Sequence, residues 1–136
     1  MNRLDSTTLV SGQIAPEDMA MIAALGVTMI VNNRPDGEEP GQPRSAEIRE
    51  AAEAAGIDYR HIPVAGAGIS GDQVQAMAQA LESRSGKVLA FCRSGTRSTY
   101  LWALARAQAG DDLESIEGAA AAAGYNLAPV LPYLRR

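Results

Sequence analysis

One cysteine and one histidine are all the thiol and imidazole that this chain of 136 residues contains. An internal disulfide is therefore impossible. One His and one Cys also make no plausible metal-ligand set, so neither a metal nor another cofactor is expected. Aromatic residues reach only 4%, which leaves an aliphatic, Ala-rich core. No apolar run approaches the roughly 18 residues that a membrane-spanning helix needs. The opening stretch, MNRLDSTTLVSGQ, holds no apolar segment of signal-peptide length. Cytoplasm is the expected location. A basic excess is missing too. The net charge is -4, which argues against a nucleic-acid or anionic-membrane partner.

What remains is the composition of a globular domain, 46% hydrophobic and 21% charged. A chain of this length buries roughly two-thirds of its unfolded surface and folds without staples. One domain over residues 1–136 is expected. TLVS at 8–11 reads as a short strand, and a helix follows from Pro16 to Leu25, stopped by Gly26. Val27 to Val31 is apolar and β-branched, hence a buried strand. NNRPDGEEPGQP at 32–43 is too dense in Gly, Pro, Asn and Asp for regular structure. It either forms a flexible surface connection or shapes a site. A helix spans about Arg44 to Ala55, and Ile57 to Val64 forms a strand that ends at Pro63. AGAGIS is a loop. Ser70 and Gln73 make a capping box that opens a helix over about Gly71 to Arg84. Lys87 to Phe91 is a strand, and helices follow at about Ser98 to Ala109 and Asp112 to Ala123. A last short helix starts near Pro129. Met19, Met21, Met29, Met77 and Trp102 fall at core-compatible spacings. The alternation of strands and helices predicts an α/β fold, a three-layer sandwich around a mainly parallel sheet of four to five strands.

The segment that carries chemistry is KVLAFCRSGTRS, residues 87–98. Cys92 stands at the carboxyl end of a buried strand, where open α/β sheets bind their ligands. A Gly-containing loop then enters a helix, and such a loop aims several backbone N–H groups at one point. Gly95 allows the positive φ of a tight turn. Only a few per cent of a free thiol is thiolate at neutral pH. Making thiolate the dominant form needs roughly 3–4 kcal/mol of differential stabilisation. A helix N-terminus supplies up to ~2 kcal/mol. Arg93 and Arg97 can supply the rest, and the Ser94, Thr96 and Ser98 hydroxyls can donate to the sulfur.

CRSGTR resembles the active-site loop of rhodanese-type sulfurtransferases, Cys-Arg-x-Gly-x-Arg/Thr. It also resembles the Cys-x5-Arg loop of cysteine-dependent phosphatases, but four residues rather than five separate Cys92 from Arg97. A loop one residue shorter favours a sulfane sulfur over a tetrahedral phosphate. From TLVSGQI through VNNRPDGEEP, YRHIPV and FCRSGTRS, nearly the whole chain resembles the phosphatase-like domain family of β-lactamase-hydrolase-like proteins. That family is also named as sulfur transferases. The resemblance implies a cysteine-phosphatase-like fold with Cys92 as nucleophile and Arg97 closing the loop. Some members are fused to a metallo-β-lactamase-type persulfide dioxygenase, which becomes a candidate partner.

A phosphatase also needs a general acid to protonate the leaving oxygen. PVAGAGIS carries none. Asp36 is the best substitute, with Glu38 and Glu39 behind it, while Asp72 lies in a first helical turn where an acid simply favours the dipole. Sulfur transfer needs no such acid. Arg34 follows a buried strand and faces the same edge as Cys92, as an anion ligand or a loop anchor. His61 reads as a structural histidine, and Arg93 points outward, toward an incoming anionic substrate. The expected activity is therefore sulfur transfer. Cys92 takes sulfane sulfur from thiosulfate or a persulfide, and a thiol such as glutathione accepts it. The amides of residues 93–97 and Arg97 would hold the added charge. The alternative is a cysteine-dependent phosphatase working through phosphocysteine, with Arg97 on the phosphate and Asp36 as acid. A second alternative is a non-catalytic module that binds anions or sulfur.

Overall fold

The computed structural model describes residues 1–66 and 68–135. Of the AGAGIS loop, Ala67 lies outside the described residues, as does Arg136. In chain order the elements are β1 (Asn2–Arg3), β2 (Thr8–Ser11), α1 (Met19–Ala24), β3 (Val27–Asn32), α2 (Ser45–Ala54) and β4 (Asp58–His61). They continue with α3 (Gly71–Ser83), β5 (Lys87–Phe91), α4 (Thr96–Gln108), α5 (Leu113–Ala122) and α6 (Leu131–Leu134). Short 3₁₀ turns at Pro16–Asp18 and Ala128–Val130 precede α1 and α6. Among the described residues, no helix is long and apolar enough to cross a membrane.

The sheet runs β1-β2-β5-β3-β4, and every pairing is parallel except β1 with β2. Side chains alternate between its faces, as strand geometry requires. Met29, Val31, Val88 and Ala90 join a core with Met77 and Leu81 of α3 and with Leu101 and Trp102 of α4. Ile30, Leu89 and Phe91 face the other way, against Met19 and Ile22 near α1 and Ile48 of α2. Two apolar faces covered by separate helices give the three layers. The parallel strands read as unbroken apolar runs because both faces are buried.

Several local expectations change. β1 is too short to have a sequence signal. It exists through pairing with β2, Asn2 opposite Val10 and Arg3 opposite Leu9. The third expected strand is shorter than Ile57–Val64 and closes at His61, although the Ile62 and Val64 amides still donate to Asn32 O and Asn33 O at 2.9 Å each. Met21 is not core. It is 54% exposed, on the outer side of α1. α4, the helix that follows the last strand, starts at Thr96 instead of Ser98.

The strand order decides where the site forms. The chain leaving β3 feeds α2 on one face, and the chain leaving β5 feeds α4 on the other. Neighbouring strands whose connections part to opposite faces open a crevice at their carboxyl ends. Asn33-Arg34 and Cys92 emerge there side by side.

Candidate active site

Cys92 follows the central strand β5 directly. Its amide donates to Ser11 O, at the end of β2, at 3.4 Å, and the Asn33 amide, just after β3, donates to the preceding Phe91 O at 2.8 Å, so the chain is held on both sides where β5 ends. The loop then turns at Gly95, with φ +92°. That left-handed conformation is open to glycine at little cost. The turn aims the Gly95 N–H at Cys92 Sγ, 3.2 Å away. The thiol has no solvent-exposed surface. The sulfur is therefore both covered and hydrogen-bonded by a backbone amide of the loop.

Close approach shapes the loop's other wall. A methyl group on Gly12 would lie 2.9 Å from Arg93 O, so only glycine lets the chain after β2 pass here. The Gln13 amide donates to the same Arg93 carbonyl at 3.3 Å.

The Pro-rich loop is ordered around buried charge. Arg34 is only 1% exposed. Its Nε donates to Glu38 Oε1 at 2.9 Å, Nη2 to Glu39 Oε1 at 2.8 Å and Nη1 to Gln13 Oε1 at 2.9 Å. Its backbone is fixed as well, since Arg34 N donates to Asn32 Oδ1 and His61 Nε2 bonds Arg34 O at 2.9 Å. Arg97, in the first turn of α4, completes the network. Nη1 meets Glu38 Oε2 at 2.6 Å and Val64 O at 2.7 Å, and Nη2 meets Glu38 Oε1 at 2.9 Å. Glu38 is thus clamped between two guanidinium groups.

The charges respond accordingly. Arg97's hydrogen bonds hold the Glu38 carboxyl down to about 2, with Arg34 adding to the effect against partial desolvation. Arg97 is raised, chiefly by Glu38, and the nearby Cys92 sulfur contributes when charged. Burial opposes the Arg34 charge, but its bonds to Glu39 and Glu38 outweigh that and raise it. Arg34 also lowers Glu39, helped by Arg93, whose exposed guanidinium lies 3.7 Å from that carboxylate.

The family model of the beta-lactamase hydrolase-like protein, phosphatase-like domain, matches residues 2–111. The chain belongs to that family. A Beta-lactamase hydrolase-like protein of Agrobacterium fabrum is 37% identical over 135 residues, covering 98% of this chain and 31% of the relative. One from Xylella fastidiosa is 36% identical over 128 residues, covering 93% and 30%. The chain thus spans about a third of the length of the curated relatives it matches. A solved candidate phosphatase of Neisseria meningitidis has TM-score 0.85 at 37% identity, covering 98% of this chain and 95% of its own. Tk-PTP in its active form shares the fold alone, at 21% identity and TM-score 0.76 over 98% and 94%.

Within this phosphatase-like frame, the residues singled out in the sequence separate into three groups. Cys92, Gly95 and Arg97 come together at the carboxyl end of β5, and Glu38 links Arg97 to Arg34. Arg93 lies outward at the rim of the crevice, and the Ser94 and Thr96 hydroxyls bond each other at 3.0 Å. Ser98 departs from expectation. Its hydroxyl donates to Asn33 Oδ1 at 2.8 Å, not to the sulfur. Because α4 begins two residues early, Ser98 is already wound onto the side facing β3. Asp36 departs too. Its Oδ1 accepts the Ser45 amide at 2.8 Å and satisfies the start of α2. The carboxylate that reaches Arg97 is Glu38.

Sequence reasoning missed Asn33, Gln13 and Tyr125. Asn33 is fully buried and also donates to Ile62 O at 2.9 Å. The Asn32-Asn33 pair directly after a buried strand was the available signal, since buried amides must find partners. Tyr125 donates to Ser94 O at 3.0 Å from a segment far along the chain. No local pattern announces it.

Proposed function

We propose that this domain hydrolyses phosphoric esters through a phosphocysteine on Cys92. The observation that carries the reading is the Gly95 amide on Cys92 Sγ, at a strand–loop–helix junction of a phosphatase-like family. A backbone donor favours the charged form of the sulfur. The thiolate attacks phosphorus, a P–S bond forms, and the P–O bond to the leaving group breaks. Water then cleaves the P–S bond and releases phosphate. Arg97 is the group that would take up the phosphoryl oxygens, exchanging its Glu38 contact for them. Arg93 adds positive charge at the entrance.

Glu38, held ionised, is no proton donor at neutral pH. Asp36 is engaged at α2, so it would have to leave Ser45 to act as the acid. Aryl phosphates, whose phenols ionise near pKa ~10, leave more easily than alkyl phosphates. They are the substrates to test first. Phosphate release from an aryl phosphate should be measurable for the native protein and lost in Cys92→Ser. Equal turnover in that variant would end the proposal.

One observation favours sulfur transfer as a second reading. The acid nearest Arg97 is locked as a carboxylate, and transfer of sulfane sulfur requires no acid. The four-residue spacing from Cys92 to Arg97 points the same way. In this reading thiosulfate or a persulfide supplies sulfur and a thiol such as glutathione removes it. A metallo-β-lactamase-type persulfide dioxygenase would be the partner. Thiosulfate-to-cyanide transfer assayed beside phosphate release separates the two. Sulfur transfer that dominates, with Cys92 gaining the mass of one sulfur, would reverse the order.

A further inference from the structure

Tyr125 reaches the cysteine loop from the turn after α5, beyond the span matched by the family model. Its Oη donates to Ser94 O at 3.0 Å. That carbonyl belongs to the same peptide unit as the Gly95 N–H, the group that donates to Cys92 Sγ at 3.2 Å. A trans peptide is planar, with its C=O and N–H pointing in opposite directions. Fixing the carbonyl therefore fixes the line along which the amide points. A donor on the carbonyl also polarises the unit and strengthens its N–H as a donor.

The packing is as close as the bonding. A methyl group built on Gly95 would overlap the Tyr125 hydroxyl and stand 3.0 Å from Cζ. The phenol end thus lies directly on the Gly95 backbone. Tyr125 is anchored in its turn, since its own amide donates to Ala120 O at 2.9 Å and its neighbours Ala123 and Leu127 are buried.

We infer that Tyr125 is a positioning residue for the nucleophile: through the Ser94–Gly95 peptide it aims the amide at Cys92 Sγ and favours the thiolate. This rests on the reading of Cys92 as the nucleophile. Tyr125 acts at one remove, touching the peptide rather than the reacting atoms.

Tyr125→Phe removes only the hydroxyl. Thiolate absorbance in the ultraviolet, followed against pH, reports its effect without any substrate. The titration of Tyr125→Phe is expected to be displaced to higher pH, with a smaller thiolate fraction at the native midpoint, because the Gly95 N–H is left a weaker and less well-aimed donor. With an aryl phosphate, kcat should fall while KM stays nearly constant. A thiolate titration superimposable on that of the native protein would overturn the inference. A fluorinated tyrosine placed at position 125 offers a stronger donor and covers the case in which Tyr125→Phe folds poorly. It should shift the titration the opposite way, and no shift would again count against the role. Absence of turnover on every phosphate would defeat the hydrolytic reading, whereas the titration tests Tyr125 by itself.

Discussion

Arg34 and Glu38 form an ion pair across one turn of loop, Nε to Oε1 at 2.9 Å, with the arginine side chain 1% exposed and the glutamate 26%. The pair ties the chain after β3 to Arg97, and hence to the cysteine loop. The same guanidinium also holds Glu39 and Gln13. Of the two parts its position allows, anion ligand or loop anchor, Arg34 here takes the second and is the centre of the loop's order.

Replacing Arg34 by Met should be costly. Three charge-assisted or polar hydrogen bonds vanish and two carboxylates lose their shared partner. Because both carboxylates keep some access to water, the loss should be about 2–4 kcal/mol. Urea unfolding at neutral pH measures it. A loss under about 0.5 kcal/mol, the scale of an ordinary surface change, would show that the network contributes little.

Acid should weaken the fold through Glu38. Its folded-state value, about 2, lies below the ordinary 4.5. A depressed carboxyl contributes stability that is complete above the unfolded value and disappears as pH falls through the folded one. The window therefore runs from about pH 5 down to about 2. The contribution is no more than about 3 kcal/mol and is reduced where solvent screens the pair. Glu38→Gln should lie below the native protein at pH 7, with the gap closing by pH 2. Parallel curves across that range would contradict the clamp.

Gly95→Ala combines two penalties. The residue sits at φ +92°, which costs a non-glycine residue on the order of 1–3 kcal/mol. The new methyl also collides with Tyr125. Thermal unfolding should drop by several degrees, and aryl phosphate turnover should fall at least tenfold as the amide leaves the sulfur. Combining it with Tyr125→Ala should relieve the collision but not the φ penalty, so that the loss of stability is less than the sum of the two single changes and turnover stays low.

Ser98→Ala should destabilise without altering the nucleophile. Ser98 is fully buried, and its hydroxyl is a partner of Asn33 Oδ1. Losing it leaves a buried acceptor short of a donor, at about 1–3 kcal/mol. The thiolate titration of Cys92 should not move, because the hydroxyl does not face the sulfur. A clear shift would restore Ser98 to the list of sulfur ligands.

Much of the fold was legible because parallel strands buried on two faces leave continuous apolar runs, and helices between them leave capping residues. Val27–Asn32 and Lys87–Phe91 emerged within one residue of expectation. β1 was not legible, since two residues carry no period and pair only because β2 lies beside them. In the site, Cys92, Gly95 and Arg97 were readable from one short segment whose order alone makes a turn into a helix. Asp36 and Ser98 were misplaced. Asp36 is taken by the Ser45 amide nine positions on, at the start of α2, and Ser98 by the Asn33 side chain 65 positions away, which only the packing of α4 beside β3 brings within reach.

The linear order of residues determined that a lone thiol ends a buried strand, and that a glycine two positions before an arginine turns the chain into a helix. Those are short-range consequences of periodicity and backbone sterics. Only the assembled molecule decided that Arg34 is buried, that Glu38 rather than Asp36 meets Arg97, and that Tyr125 lies on the peptide facing the sulfur. Such pairings join residues 31 to 59 positions apart, and the stacking order of the strands, not any local preference, sets which of them come within hydrogen-bonding reach.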